Sequence, residues 1–147
     1  MDQELNLIEM ELREIQIKDD AIGSQIVILG EKEGSREFPI FIGFAEAVAL
    51  DYALHGVEHQ RPMTHDLIYN VIDGLGAQVA HIIVDDLREN TFFGKLAVAR
   101  SDGEYELVDA RPSDAIVLAT KRRLPIFVAE HVLNMVVHPP EEDSDDE

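Results

Sequence analysis

Apolar and polar residues alternate near the start of the chain, and the alternation changes phase once. Met10 and Leu12 fall on one parity, Ile15 and Ile17 on the other, so a strand here needs a bulge near Arg13 and Glu14 to keep one face apolar. Residues 25–29 are a short, nearly continuous apolar run between Gly23 and Gly30 and predict a buried strand. Residues 31–36 are polar, include Gly34 and predict a hairpin loop. Residues 38–42, closed by Gly43, predict the next strand. Later, 78–84, 91–99, 105–108 and 126–128 predict strands, the second with Phe92, Leu96 and Val98 on one face. Polar turns separate them at 85–90 and 101–103.

Three longer segments carry helical signals. Residues 44–54 are apolar on nearly all sides, with Glu46 and Asp51 the only acids, and predict a buried helix ended by Gly56. After a loop over 57–63, Thr64 is placed to cap a second helix. Its apolar face is Leu67, Ile68, Val71, Ile72 and Leu75, and Gly74 and Gly76 terminate it. The third runs from about 113 to 123 with Ala115, Ile116, Leu118 and Ala119 inward. Its last turn holds Lys121, Arg122 and Arg123, which suits the negative dipole end, and Pro125 stops it. A short helix over 130–136 follows. Hairpins and helical crossovers together define an α+β fold: a mixed sheet of about six to seven strands, three main helices and a short C-terminal helix. One domain over 1–137 and an acidic disordered tail over 138–147 complete the expected organisation.

Composition narrows the chemistry. The net charge is -18, from 30 acids and 12 basic residues, and six of the acids lie in the last seven residues. The body is therefore acidic by itself, which weighs against electrostatic binding of nucleic acid through a basic footprint. An acidic metal site can still approach a polyanion through divalent cations. Arg outnumbers Lys, eight to four. Such an acidic, Lys-poor surface fits a high-salt cytoplasm, and it predicts an unfolding midpoint that rises between low and molar salt. A salt-independent midpoint would count against that adaptation. The absence of cysteine excludes disulfides, zinc–thiolate sites and Cys nucleophiles. No apolar run is long enough to span a membrane, and the acidic N-terminus lacks a signal-peptide pattern, so the expected location is the cytoplasm. Neither a Walker A, GxGxxG, HExxH nor GxSxG motif occurs, and no organic cofactor is expected.

Two helix starts resemble each other: Arg61-Pro62-Met63-Thr64-His65-Asp66 and Asp109-Ala110-Arg111-Pro112-Ser113-Asp114. In each, an Arg-Pro interrupts the chain, a hydroxyl residue follows that can cap a helix, and an acid sits in the first turn. Helix N-termini expose unpaired N–H groups and a positive dipole end, so they attract anions. If the fold brings the two together, they build a small site for phosphate chemistry. Ordinary capping is the competing explanation.

These strings, with Ile42-Gly43-x-x-Glu46-Ala47 and Thr91-Phe92 between them and Pro125-Ile126-Phe127-Val128 after them, closely resemble the bifunctional nuclease domain family. The resemblance covers roughly residues 10–136. It implies a family-specific α/β fold, a homo-oligomer with a dimer favoured, and nuclease activity on both RNA and DNA. Some bacterial relatives carry a C-terminal helical module of the excision-repair type, where this chain has an acidic tail.

Phosphodiester hydrolysis needs a positioned water, charge stabilisation and help for the leaving group. The candidate catalytic residues are His65, Asp66, Asp109 and Asp114. Arg61, Thr64, Arg111 and Ser113 are the candidate phosphate contacts. Glu46, Asp66, Asp109 and Asp114 are the candidate ligands for Mg²⁺ or Mn²⁺. Asp109 is the most pointed of these, because it ends a strand just before a helix. Each has a structural alternative. Asp66 and Asp114 can serve the helix dipole, Asp109 and Arg111 can form a buried ion pair, Glu46 can pair with Arg61 or Arg111, and His65 in a first turn can be idle. His81 reads as a packing residue, while His55, His59, His131 and His138 show no metal-ligand spacing. Beside the nuclease stand two other expectations, a non-catalytic assembly or regulatory module and a binder of phosphorylated small molecules.

Overall fold

The phase change near Arg13 is a bulge. In the computed structural model, which describes residues 6–17 and 25–137, β1 (Leu7–Gln16) pairs antiparallel with β2 (Gln25–Glu31), and the register slips between Leu12 and Glu14. Residues 1–5, the segment 18–24 with Gly23, and the acidic tail with His138 lie outside the described residues. β2 turns back into β3 (Glu37–Ile42). The chain then forms α1 (Phe44–Leu54) and α2 (Thr64–Gly74), followed by the meander β4 (Gln78–Arg88), β5 (Thr91–Ala99) and β6 (Tyr105–Ala110). It ends with α3 (Pro112–Arg122), β7 (Ile126–Ala129) and α4 (Glu130–Val136).

The seven strands form one mixed sheet in the order β3-β2-β1-β7-β4-β5-β6. Every neighbouring pair is antiparallel except β4 and β7. α3 makes the crossover that places β7 between β1 and β4, joining the two hairpin systems into one sheet. The sheet curls: the rings of Phe38 on β3 and Phe92 on β5 lie 5.6 Å apart, although four strands separate β3 from β5 in the sheet order. α3 is the central helix of the core, with Ala115, Ile116, Val117, Leu118 and Ala119 buried. Around it pack Val27, Leu29, Ile40, Ile82, Val84, Leu96 and Val128 from the strands and Ala47 and Leu50 from α1.

Several expected boundaries shift. β4 runs to Arg88, where the sequence suggests a polar turn from residue 85. Bulges at 79/81 and 84/86 re-phase the strand and let it continue through Asp85 and Asp86. The turn contracts to Glu89 and Asn90, with φ of 51° and 65°, the backbone of a tight two-residue hairpin. Thr64 and Ser113 are not caps. Met63 and Arg111 hold the N-cap positions, Pro112 opens α3, and neither N-cap side chain makes a capping hydrogen bond. Asp66 does the capping of α2 from inside, its carboxylate accepting the Met63 N–H at 2.9 Å.

Burial departs from expectation on two helices. α1 buries only Ala47 and Leu50. In α2 the fully buried residue is Tyr69, while Leu67, Val71 and Leu75 of the apolar face stand exposed, Leu75 by 77%. Helical spacing marks an apolar stripe but does not say what covers it.

Candidate functional site

α2 and α3 lie parallel and in step. His65 meets Asp114, the Tyr69 hydroxyl donates to the Leu118 carbonyl at 2.5 Å, and Arg122 grips Asp73, each pair separated by 49 residues. A constant offset at every turn is possible only for helices running in the same direction, so both N-termini fall at one end. Tyr69 is the central rivet. Its hydroxyl is buried, which pushes its pKa up to about 12, and the Arg122 guanidinium stacks 3.7 Å from its ring centre. Arg122 also holds the Asp73 carboxyl below its usual range by hydrogen bonding.

The first turn of α1 reaches the same place. Glu46 Oε2 lies 3.2 Å from Arg111 Nη2, and Arg111 Nε donates to Asp114 Oδ2 at 2.9 Å. Asp114 Oδ1 lies 2.9 Å from His65 Nε2, whose side chain is only 13% exposed. Three helix N-termini therefore meet on one connected network, Glu46–Arg111–Asp114–His65. Burial raises the Asp114 pKa, but hydrogen bonds from Arg111 and His65 outweigh it and hold the carboxyl below its usual range. Arg111 is raised in turn by Asp114 and Glu46. Beside the network, Lys121 Nζ approaches Asp66 Oδ1 at 2.6 Å and, with the Met63 N–H, lowers the Asp66 pKa.

Of the sequence candidates, Glu46, His65, Asp66, Arg111 and Asp114 come together. Asp109 does not join Arg111. Its carboxylate, 80% exposed, lies 3.7 Å from Lys95, which also binds Asp85 at 3.1 Å. Asp109 and Lys95 are cross-strand partners in a register where the next residue, Leu96, faces the helices. Strand alternation therefore sends both to the opposite face of the sheet. The expected Asp109–Arg111 pair is replaced by Arg111–Asp114 and Arg111–Glu46. His65 is not idle in its first turn. Arg61 and Thr64 are exposed, and Ser113 is buried in the first turn of α3. His81 is a packing residue, its ring edge-on to Phe127 at 5.2 Å and its pKa lowered by burial.

The four carboxylates offered to a divalent metal do not gather. Asp109 is on the other face, Asp66 is held by Lys121, and Glu46 and Asp114 share Arg111. Among the described residues no three His, Asp or Glu side chains form a group able to hold a metal ion. Sequence reasoning undervalued Lys121, which reads as a helix-end cation. It reaches back along α3, as helical side chains tilt toward the N-terminus. Gly94, an isolated glycine inside a strand, is a second residue whose role no local motif announces. A Cβ there would lie 3.1 Å from the Ala110 carbonyl oxygen and 3.5 Å from Pro112 Cα, so its lack of a side chain seats the turn that carries Arg111 against β5.

The lowered pKa values of Asp66 and Asp114 carry a sign. A depressed folded-state pKa adds stability that is full above the unfolded carboxylate value, about 4. That stability is lost as pH falls through the folded value. Melts of the wild type and an Asp66→Asn, Asp114→Asn variant should therefore differ most at neutral pH and converge below about pH 4. A gap that stays constant down to pH 3 would contradict these shifts.

The profile of the bifunctional nuclease domain matches residues 27–141, and the chain belongs to that family. An uncharacterized protein of Mycobacterium tuberculosis is 39% identical over 124 residues, covering 84% of this chain and 73% of that one. Bifunctional nuclease 1 of Oryza sativa subsp. indica is 23% identical over 130 residues, 87% of this chain but 39% of the rice protein. Bifunctional nuclease 1 of Arabidopsis thaliana is 27% identical over 118 residues, 79% of this chain and 36% of that protein. No helix among the described residues is long and apolar enough to cross a membrane.

Proposed function

We propose that the protein hydrolyses phosphodiester bonds of RNA and DNA at the junction of the three helix N-termini. The observation that carries this reading is the His65–Asp114 pair, tied through Asp114 to Arg111. With Asp114 accepting the His65 Nε2 proton, Nδ1 is the nitrogen left with a free lone pair. It takes a proton from water as the water oxygen attacks phosphorus. The bond from phosphorus to the leaving oxygen breaks, and the imidazolium returns the proton to that oxygen. Arg111, backed by Glu46 and Asp114, offers its guanidinium to the phosphoryl oxygens, and the helix dipoles favour the charge developing there. No step is assigned to a metal, because the carboxylates present do not form a ligand set.

The test is cleavage of labelled single-stranded RNA and DNA in Mg²⁺, Mn²⁺ or EDTA, by wild type, Asp114→Asn and Asp109→Asn. Asp114→Asn should lose roughly a hundredfold or more, the scale of positioned acid–base catalysis. Asp109→Asn, on the far face, should keep wild-type activity. Equal cleavage by all three would remove the proposal, and loss on chelation would return the metal to the mechanism.

A second reading, assembly of the chain with itself, is favoured by a different observation. The two edges of the sheet differ. β3 carries Pro39, which removes a hydrogen-bond donor, whereas β6 has no proline and exposes Tyr105 and Leu107. Beside β6 runs an apolar groove of about 620 Å³ lined by Leu67, Val71, Leu75, Leu96, Val98 and Val108. An open edge next to an uncovered apolar helix suits a second copy of this chain, adding strand to strand and helix to helix about a two-fold axis.

A further inference from the structure

α1 is apolar on nearly every side, yet its residues Val48 and Tyr52 are not sealed in the core. They open onto a pocket of about 330 Å³ whose other walls are Phe44, Val57, Met63 and Val117. Its lining is mostly apolar, and its polar edge is His65 with the Asp66–Lys121 pair. The rings of Tyr52 and His59 meet edge-on at 5.1 Å on one side. The pocket is continuous with the site, because His65 both lines it and binds Asp114, which in turn holds Arg111.

We infer that this pocket seats one unstacked nucleobase of a single strand, next to the phosphate held at Arg111. The inference rests on the hydrolytic reading above. A chain of net charge -18 gains little from a polyanionic backbone, so affinity must come from apolar and stacking contact with bases. The pocket offers that contact beside the one guanidinium in the network. A base inside a duplex is already stacked and cannot enter, so the pocket selects single strands. The aliphatic and aromatic walls read neither a base's hydrogen-bonding edge nor a sugar hydroxyl, and at the polar edge His65 is bonded to Asp114 and Asp66 to Lys121. The same pocket thus accepts purines and pyrimidines, on ribose or deoxyribose.

The test uses the full chain with adenosine, thymidine and inorganic phosphate as probes, followed by methyl NMR. Both nucleosides should shift the Val48, Val57 and Met63 methyls and leave Leu67, Val71 and Leu75 unmoved. Val48→Trp, which fills the pocket, should abolish those shifts. It should also raise KM for a single-stranded oligonucleotide roughly tenfold, the scale of one lost base stack, with kcat little changed. Tyr52→Ala is the second variant should Val48→Trp fail to fold, with the same direction in KM. Nucleosides that leave the pocket methyls unmoved overturn the inference, as does duplex cleaved as readily as single strand. Cleavage of oligonucleotides without nucleoside binding removes the pocket and keeps the hydrolytic site. Nucleoside binding at these methyls without cleavage does the reverse.

Discussion

His65→Ala is expected to lower kcat for phosphodiester cleavage by roughly 10²–10⁴-fold, the contribution of a positioned general base. The fold should survive. His65 sits in the first turn of α2, and its removal leaves Asp114 still bonded to Arg111, so the stability loss should be on the order of 1 kcal/mol. α2 remains pinned to α3 by Tyr69 and by the Arg122–Asp73 pair. The pH profile gives the sharper readout. If the imidazole is the base, the acid limb of kcat/KM disappears with it, and a purely structural role would leave the limb in place at reduced amplitude. A His65→Ala protein of wild-type activity would end the mechanism proposed here, whatever the family's name.

Val71→Glu is expected to convert a self-associated protein to monomer. Val71 is the centre of the uncovered stripe, flanked one turn away by Leu67 and Leu75, and all three are more than half exposed. In the monomer a glutamate at this position stays solvated, so the melting midpoint of the isolated chain should barely move. In a two-fold interface the substitution appears twice, and each copy buries a charge against apolar side chains and its own symmetry mate. The dissociation constant of the dimer should therefore rise by roughly a hundredfold or more, on the scale of the penalty for two unpaired buried charges. Sizing with light scattering at micromolar concentration reads the result. A wild type that is monomeric there would leave the groove without its proposed occupant. A variant that stays dimeric would place the interface elsewhere.

Both sites are marked locally, the first by the repeated helix start and the second by the apolar stripe of α2, but the assembly of neither is. The recurrent Arg-Pro and acid at two helix starts marks Arg111, Asp114, His65 and Asp66 by spacing alone. Their meeting depends on α2 and α3 running parallel with a constant offset, which comes from the crossover of α3 and from ties at Tyr69 and Arg122. Asp109 shows the limit of local reasoning. It ends a strand just before a helix, the usual place for a ligand group, yet strand alternation turns it away from the helices toward Lys95. One residue of register separates a site residue from a surface ion pair.

Local pattern determined the element types, the bulge in β1, the helical span of α1 and the α+β character, because apolar periodicity and turn chemistry act over a few residues. It also fixed the acidic charge and the absence of thiol chemistry. The tertiary structure decided what covers each apolar face, and so left one side of α1 lining a pocket and the outer stripe of α2 uncovered. It likewise decided which cation meets which carboxylate, giving Arg111 to Glu46 and Asp114, Lys121 to Asp66, and Lys95 to Asp85 and Asp109. The reason is physical: burial and ion pairing are set by neighbours distant in sequence, and a side chain's periodicity carries no record of them.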